Sequence, residues 1–219
     1  MARWGNDDGG VLAGLLVLVL VATIAYGGYW GYQYWDENQD TTPAAASVPP
    51  GGEKLSGKGV TLVIPRGWSQ QKVSDKEIEK RLDAFIASDP DGADQTGIDL
   101  ATDPAAGFAF FAIEDKGGKG RSDLSVAVDS GDAELADIQS FLTVQLERTR
   151  AKRIEWEATT LGGVEARQVD YQRRYGTLTA YQRQYVVVGD KEAATLTFSS
   201  IRPIDDRDAD AIADTMRVD

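Results

Sequence analysis

The stretch LGGVEARQVDYQRRYGTLTAYQRQYVVVGDKEAATLTFS, Leu161 to Ser199, contains most of a sheet. Val164 to Tyr175 alternates small or apolar residues with charged ones until Gly176 breaks it. Leu178 to Val188 follows, and a Gly189-Asp190-Lys191 turn leads into Ala193 to Ser200. Strand-length runs separated by short Gly-containing turns read as an antiparallel meander. Arg153 to Thr160, entering through the Leu161-Gly162-Gly163 turn, adds a further strand at its start.

Upstream, Val60 to Ile64 (VTLVI) is a strand that Pro65 ends, and Gly67 turns the chain into Trp68. We read Trp68 as a lid over the edge of the core and Pro65-Arg66-Gly67 as a fold-defining turn. Ser74-Asp75-Lys76-Glu77 is a capping box. Ile78, Leu82, Phe85 and Ile86 then form a helical stripe that stops at Asp89-Pro90-Asp91-Gly92. Gly107 to Glu114 and Asp123 to Val128 read as buried strands. A second helix starts near Asp132 with the stripe Leu135, Ile138, Leu142 and Leu146. Arg148, Arg150, Lys152 and Arg153 lie at or beyond its end, where positive charge complements the helix dipole. Asp205 to Val218 is the last helix, with Ala209, Ile212 and Met216 on one face. The expected fold class is α+β, a central antiparallel sheet with helices on its faces.

Two segments precede this domain. Gly10 to Tyr32 (GVLAGLLVLVLVATIAYGGYWGY) contains no charge. A hydrocarbon core of ~30 Å needs ~20 helical residues, so this stretch is long enough to span. Aromatic residues crowd its C-terminal end and Trp4 precedes the other, as expected at headgroup level. The apolar run is longer than a signal-peptide core, which favours an uncleaved anchor. Arg3 and the free amine precede the span and acidic residues follow it, so the expected orientation is N-terminus cytoplasmic with the C-terminal domain extracytoplasmic or periplasmic. Residues 36–58 are rich in Pro, Gly and Ala and read as a linker, giving an anchor in 1–35 and a folded domain over 59–219.

Composition removes whole classes of chemistry. The 219 residues include neither Cys nor His. Thiolate nucleophiles, Ser–His–Asp triads, zinc sites built on Cys or His, and disulfides are therefore excluded. The formal charge of −12 argues against nucleic acid as a partner and against binding to anionic lipid. Asp89, Asp91, Asp94 and Asp99 do not meet the calcium-loop pattern, and residues 115–121 lack the phosphate-loop order, so both read as turns. No catalytic residue, metal site or cofactor is expected.

VTLVIPRGW resembles the opening of PsbP-like (Mog/PsbP) domains, and the Leu161–Ser199 stretch is similar to the later hairpins of that fold. The bacterial DcrB and LpqN lipoprotein groups are included in the resemblance, although the lipobox Cys is missing and the spanning helix takes over anchoring. The resemblance implies an α/β/α sandwich around an antiparallel sheet, in proteins that act mostly as non-catalytic accessory, docking or ligand-holding modules.

Two places are candidates for partner binding. Gly27, Gly28, Trp30 and Gly31 at the outer end of the span allow close approach of a partner helix, while membrane lipid surrounds the rest of the anchor. Arg167, Tyr171 and Arg173 share one face of their strand, and Tyr181 and Arg183 share one face of the next. If the faces coincide, they form an Arg/Tyr surface suited to a protein interface. The competing reading is a helix-covered face with Tyr packed and Arg at the rim. The functional expectation is a membrane-anchored accessory or docking subunit of an integral membrane protein complex. The alternative is a small-ligand or lipid-binding module.

Overall fold

The computed structural model describes residues 52–71, 108–114, 122–130, 134–175, 178–190 and 192–218. Ten strands and two helices occur in these segments: β1 (Glu53–Gly57), β2 (Val60–Ile64), β3 (Trp68–Gln71), β4 (Phe108–Glu114), β5 (Asp123–Ser130), α1 (Leu135–Arg148), β6 (Lys152–Leu161), β7 (Val164–Tyr175), β8 (Leu178–Val188), β9 (Glu192–Ser200), α2 (Asp206–Ala213) and β10 (Arg217–Val218). The α+β class holds. Among the described residues no helix is long and apolar enough to cross a membrane. The expected span, the first helix of the domain, and the Asp89–Asp99 and 115–121 turns lie outside the described residues.

Seven strands form one sheet in the order β3-β4-β5-β9-β8-β7-β6, and β1-β2-β10 form a second, smaller one. Every pairing is antiparallel. The meander β6 to β9 is as expected from sequence. It runs inward from the far edge, because the chain leaves β5, passes through α1 and restarts at β6. β9 then closes against β5, with Asp123 opposite Ser199 and Val128 opposite Ala194. Ala193 to Ser200 are buried without exception, so β9 is covered on both faces.

Register divides the large sheet into two unlike faces. One face carries Phe110, Leu124, Val126, Leu196, Phe198, Tyr185 and Val187, which pack with Leu62 and Ile64 of the small sheet and Ile212 and Met216 at the C-terminus. The other face meets α1, where Ile138 and Leu142 pack on Val186 and Ala193, and Leu146 packs on Val169 and Tyr171.

Three local outcomes differ from the sequence expectation. The linker was expected to reach Lys58, yet Glu53–Gly57 pair with β2. Leu55, 3% exposed, is the apolar residue that docks the strand. The Lys58-Gly59 turn, φ 48° and 71°, has the left-handed geometry of a two-residue hairpin. The last helix stops at Ala213 rather than continuing to Val218. Thr215 Oγ1 accepts from Val63 N at 2.9 Å, which ties the chain to β2 and turns it into β10. The chain after Gly67 also forms a strand, β3, which was not expected. Trp68 N donates to Pro65 O at 3.3 Å with Gly67 at φ 92°, a turn that requires Gly at that place. Trp68 is half-buried, edge-on to Phe198 at 6.5 Å, and so caps the core edge as read from sequence.

Candidate functional site

Tyr175 lies opposite Leu178, and the register that follows sets Arg173 opposite Ala180 and Asp170 opposite Arg183. Odd-numbered residues of β7 therefore share a face with even-numbered residues of β8. Arg167, Tyr171 and Arg173 lie on the α1 face, whereas Tyr181 and Arg183 lie on the opposite face. The two halves of the expected Arg/Tyr surface do not meet.

On the α1 face, Arg167 is half-buried; its Nε donates to Gln139 Oε1 at 3.2 Å and its Nη1 pairs with Glu165 at 2.9 Å. Arg173 is 6% exposed and its Nη2 donates to Thr149 Oγ1 at 2.8 Å. Its guanidinium sits 5.4 Å from the centre of the buried Tyr171 ring, within cation–π range. Of the two readings, Tyr packed and Arg reaching the helix end describes this face. Gly27, Gly28, Trp30 and Gly31 lie outside the described residues.

Arg183 is the centre of the densest polar cluster described. Its Nε and Nη2 grip Asp170 at 2.6 and 2.7 Å, a two-point match between guanidinium and carboxylate. Nη2 also reaches Asp206 at 2.8 Å, and Nη1 reaches Asp210 at 3.4 Å. Tyr185 donates its hydroxyl to the same Asp210 oxygen. α2 brings its two carboxylates to one face because Asp206 and Asp210 are four residues apart. Asp205 caps the helix, accepting from Arg207 N at 3.0 Å and Asp208 N at 3.3 Å. Burial alone would push the Arg183 guanidinium down, but the Asp170 hydrogen bond and the surrounding negative charge hold it above its ordinary range. Burial and the bond to Asp210 push the Tyr185 phenol well up, so it stays a neutral donor. Burial, with Asp205 nearby, raises the Asp208 carboxyl. The cluster braces α2 against β7 and β8. Sequence alone left out Asp170, Asp206 and Asp210. The signal for the helix pair was the i, i+4 spacing in DDRDADAIAD.

A second polar feature crosses the α1 face. Ser125, Thr197 and Gln184 lie in one cross-strand row, and Ser199 and Gln182 in the next, all buried. Gln182 Nε2 donates to Ser199 Oγ at 3.2 Å. Thr195, 1% exposed, has no hydrogen-bond partner for Oγ1. Among the described residues no group of three or more acidic side chains is placed to hold a metal ion.

No family model matches the chain, and no curated protein matches it. Solved structures resemble it at low identity. One from Bacteroides thetaiotaomicron VPI-5482 has a TM-score of 0.46 at 12% identity, over 77% of this chain and 48% of that one, so the chain spans about half its length. LpqN, described as involved in cell envelope biogenesis of Mycobacterium tuberculosis, has a TM-score of 0.42 at 14% identity, over 78% of this chain and 86% of LpqN. A Pseudomonas aeruginosa protein of unknown function, a putative regulator, has a TM-score of 0.27 at 20% identity, over 36% of this chain and 58% of its own.

Proposed function

We propose that this chain is a non-catalytic, membrane-anchored accessory or docking subunit, with a PsbP-like domain held outside the cytoplasm on a larger integral membrane complex. The observation that carries the reading is the use to which the polar side chains are put. Arg173 binds the Thr149 side chain at the end of α1, and Arg183, Asp170 and Tyr185 brace α2; each is committed to the fold. The uncharged Gly10–Tyr32 stretch ahead of the domain supplies the anchor, and its Gly27-Gly28 end supplies a surface for a partner helix. Affinity purification in mild detergent tests this: stoichiometric membrane proteins should accompany the chain, and Gly27→Leu with Gly28→Leu should release them while leaving insertion intact. Recovery without any partner sinks the proposal.

The buried rows around Thr195 favour a second reading, a module that holds a small ligand. Hydroxyl and carboxamide groups suit a polar ligand better than a lipid tail. Native mass spectrometry of the purified chain would reveal such a ligand as added mass.

A further inference from the structure

The chain is strongly acidic overall, yet one corner of the domain, at the β6 edge of the large sheet, gathers cations. Arg148, Arg150, Lys152, Arg153 and Arg174 are all exposed there. Lys152 lies opposite Gln172, which brings the start of β6 beside the end of β7 and beneath the end of α1. Glu147 and Glu155 are exposed beside this run, and Asp205 and Asp206, also exposed, lie nearer the middle of the same end, where β9 gives way to α2. None of Arg148, Arg150, Lys152 and Arg153 takes part in an ion pair among the described residues.

Two of these cations occupy unfavourable backbone. Thr149 ends α1, Ala151 N donates to Leu146 O, and Arg150 N donates to Glu147 O, the closing bonds of a helix whose next residue is left-handed. Arg150 fills that place at φ 59°, and Arg153, at the bulge in β6, has φ 54°. Gly is the residue that adopts such angles freely. Charge is thus present where backbone geometry favours Gly.

The chain that precedes the domain joins at this end as well. Glu53 lies opposite Ile64, next to the turn that leads to Trp68 opposite Glu114. From there, register carries across the same end of the large sheet, through Asp123 and Ser199, Ser199 and Gln182, Gln182 and Tyr171, to the start of β6. The residues before Glu53 therefore join at the same end of the large sheet as the basic run but at its opposite edge, where Arg66 is exposed.

We propose that the basic end, centred on Arg148, Arg150, Lys152 and Arg153, docks on anionic phospholipid headgroups of the membrane in which the chain is anchored. This rests on the anchored reading above. The net charge of −12 argues against the domain as a whole binding anionic lipid, but binding responds to local charge. The acids of the domain, Asp205 and Asp206 among them, are repelled by the same surface, so the contact is confined to the β6 corner. Clustered cations that a tether holds near an anionic leaflet are attracted to it within about a Debye length, ~8 Å at physiological salt.

The test uses the full chain, which has no native Cys to compete with an introduced label. A donor dye is placed by Glu147→Cys at the basic end or by Glu165→Cys beside the β6–β7 turn at the other. Vesicles contain a trace of headgroup-labelled acceptor lipid in phosphatidylcholine alone or with about a third phosphatidylglycerol. Energy transfer should be higher from position 147 than from 165, only with phosphatidylglycerol, and should fall with salt. Replacing the four cations by Glu should abolish the difference. A gentler variant, Arg148→Gln, Arg150→Gly, Lys152→Gln and Arg153→Gly, keeps the backbone angles and should do the same. Equal transfer from both positions, or a difference that ignores lipid charge and salt, overturns the proposal; the latter outcome points to an acidic protein partner or to tether geometry alone. If alkaline carbonate extracts the chain, the anchored reading falls. The headgroup contact then stands or falls on phosphatidylglycerol-selective co-flotation, which the gentler variant should weaken by ~100-fold or more.

Discussion

Asp170→Ala should cost more stability than removing the arginine it binds. The Arg183 side chain is 8% exposed, whereas its partners Asp170, Asp206 and Asp210 are 37%, 78% and 53% exposed. The buried charge in the cluster therefore belongs to the guanidinium. Taking away Asp170 removes both of its shortest bonds and leaves a cation out of water, a loss of ~3 kcal/mol. Arg183→Met keeps an apolar stem in the same space and leaves carboxylates that water reaches, so ~1–2 kcal/mol is expected. Asp206→Ala breaks a pair whose acid is mostly solvated and should cost less than ~1 kcal/mol. Urea denaturation of a chain starting at Gly52, followed by Trp fluorescence, reads these differences. A loss of ~3 kcal/mol moves the midpoint by roughly 1–2 M when the slope is ~1.5–3 kcal/mol per molar. The reasoning is refuted if Arg183→Met destabilises more than Asp170→Ala, or if Asp206→Ala matches Asp170→Ala.

The Gly52 chain itself should unfold in one cooperative step, because the clusters around Leu62, Leu196 and Ile138 are contained in the described domain; a broad, sloping transition in calorimetry would contradict this. Arg150→Gly should raise stability by ~0.5–1 kcal/mol, whereas Arg150→Ala, which keeps the left-handed strain, should raise it by less than half as much in the same assay. Tyr185 has its phenol pKa raised in the folded chain, so its contribution is fully present below the unfolded value near pH ~10 and is lost as pH climbs above it. Thermal melts should show a decline above that pH that Tyr185→Phe reduces. Membranes carrying the full chain should retain it through alkaline carbonate, as expected if Gly10–Tyr32 spans; release would count against the anchor.

Strand-like composition between Gly163, Gly176 and Gly189 located β7 and β8 to the residue. It could not align them. Which face of β8 lies beside which face of β7 depends on the parity of the turn between them, and a shift of one residue exchanges every side chain. This is why Arg173 and Arg183, similar in sequence setting, lie on opposite faces. β1 was hidden for a different reason. Its single buried apolar residue, Leu55, gives no period, and its neighbours have linker composition. Thr215 shows the limit at the other terminus, since the apolar stripe of α2 extends to Met216 but a bond to Val63 ends the helix first. The basic run after α1 was legible as a helix-end device. Its relation to the start of the domain emerges only from the register of two sheets.

The route from β5 through α1 to β6 also has a consequence in time. β5 receives its inner neighbour only when β9 arrives, after the whole meander has been made: Asp123 waits for Ser199. At a synthesis rate of ~5–20 residues per second, that interval is several seconds, during which one side of Val126 and Val128 has an unpaired backbone edge. Such an edge is a template for pairing with another chain. A chain emerging slowly, unfolded, on the far side of a membrane would lengthen the interval further. Efficient folding then depends on an escort for β5, or on the rapid local closure of the β6–β9 hairpins that delivers β9 as a finished strand.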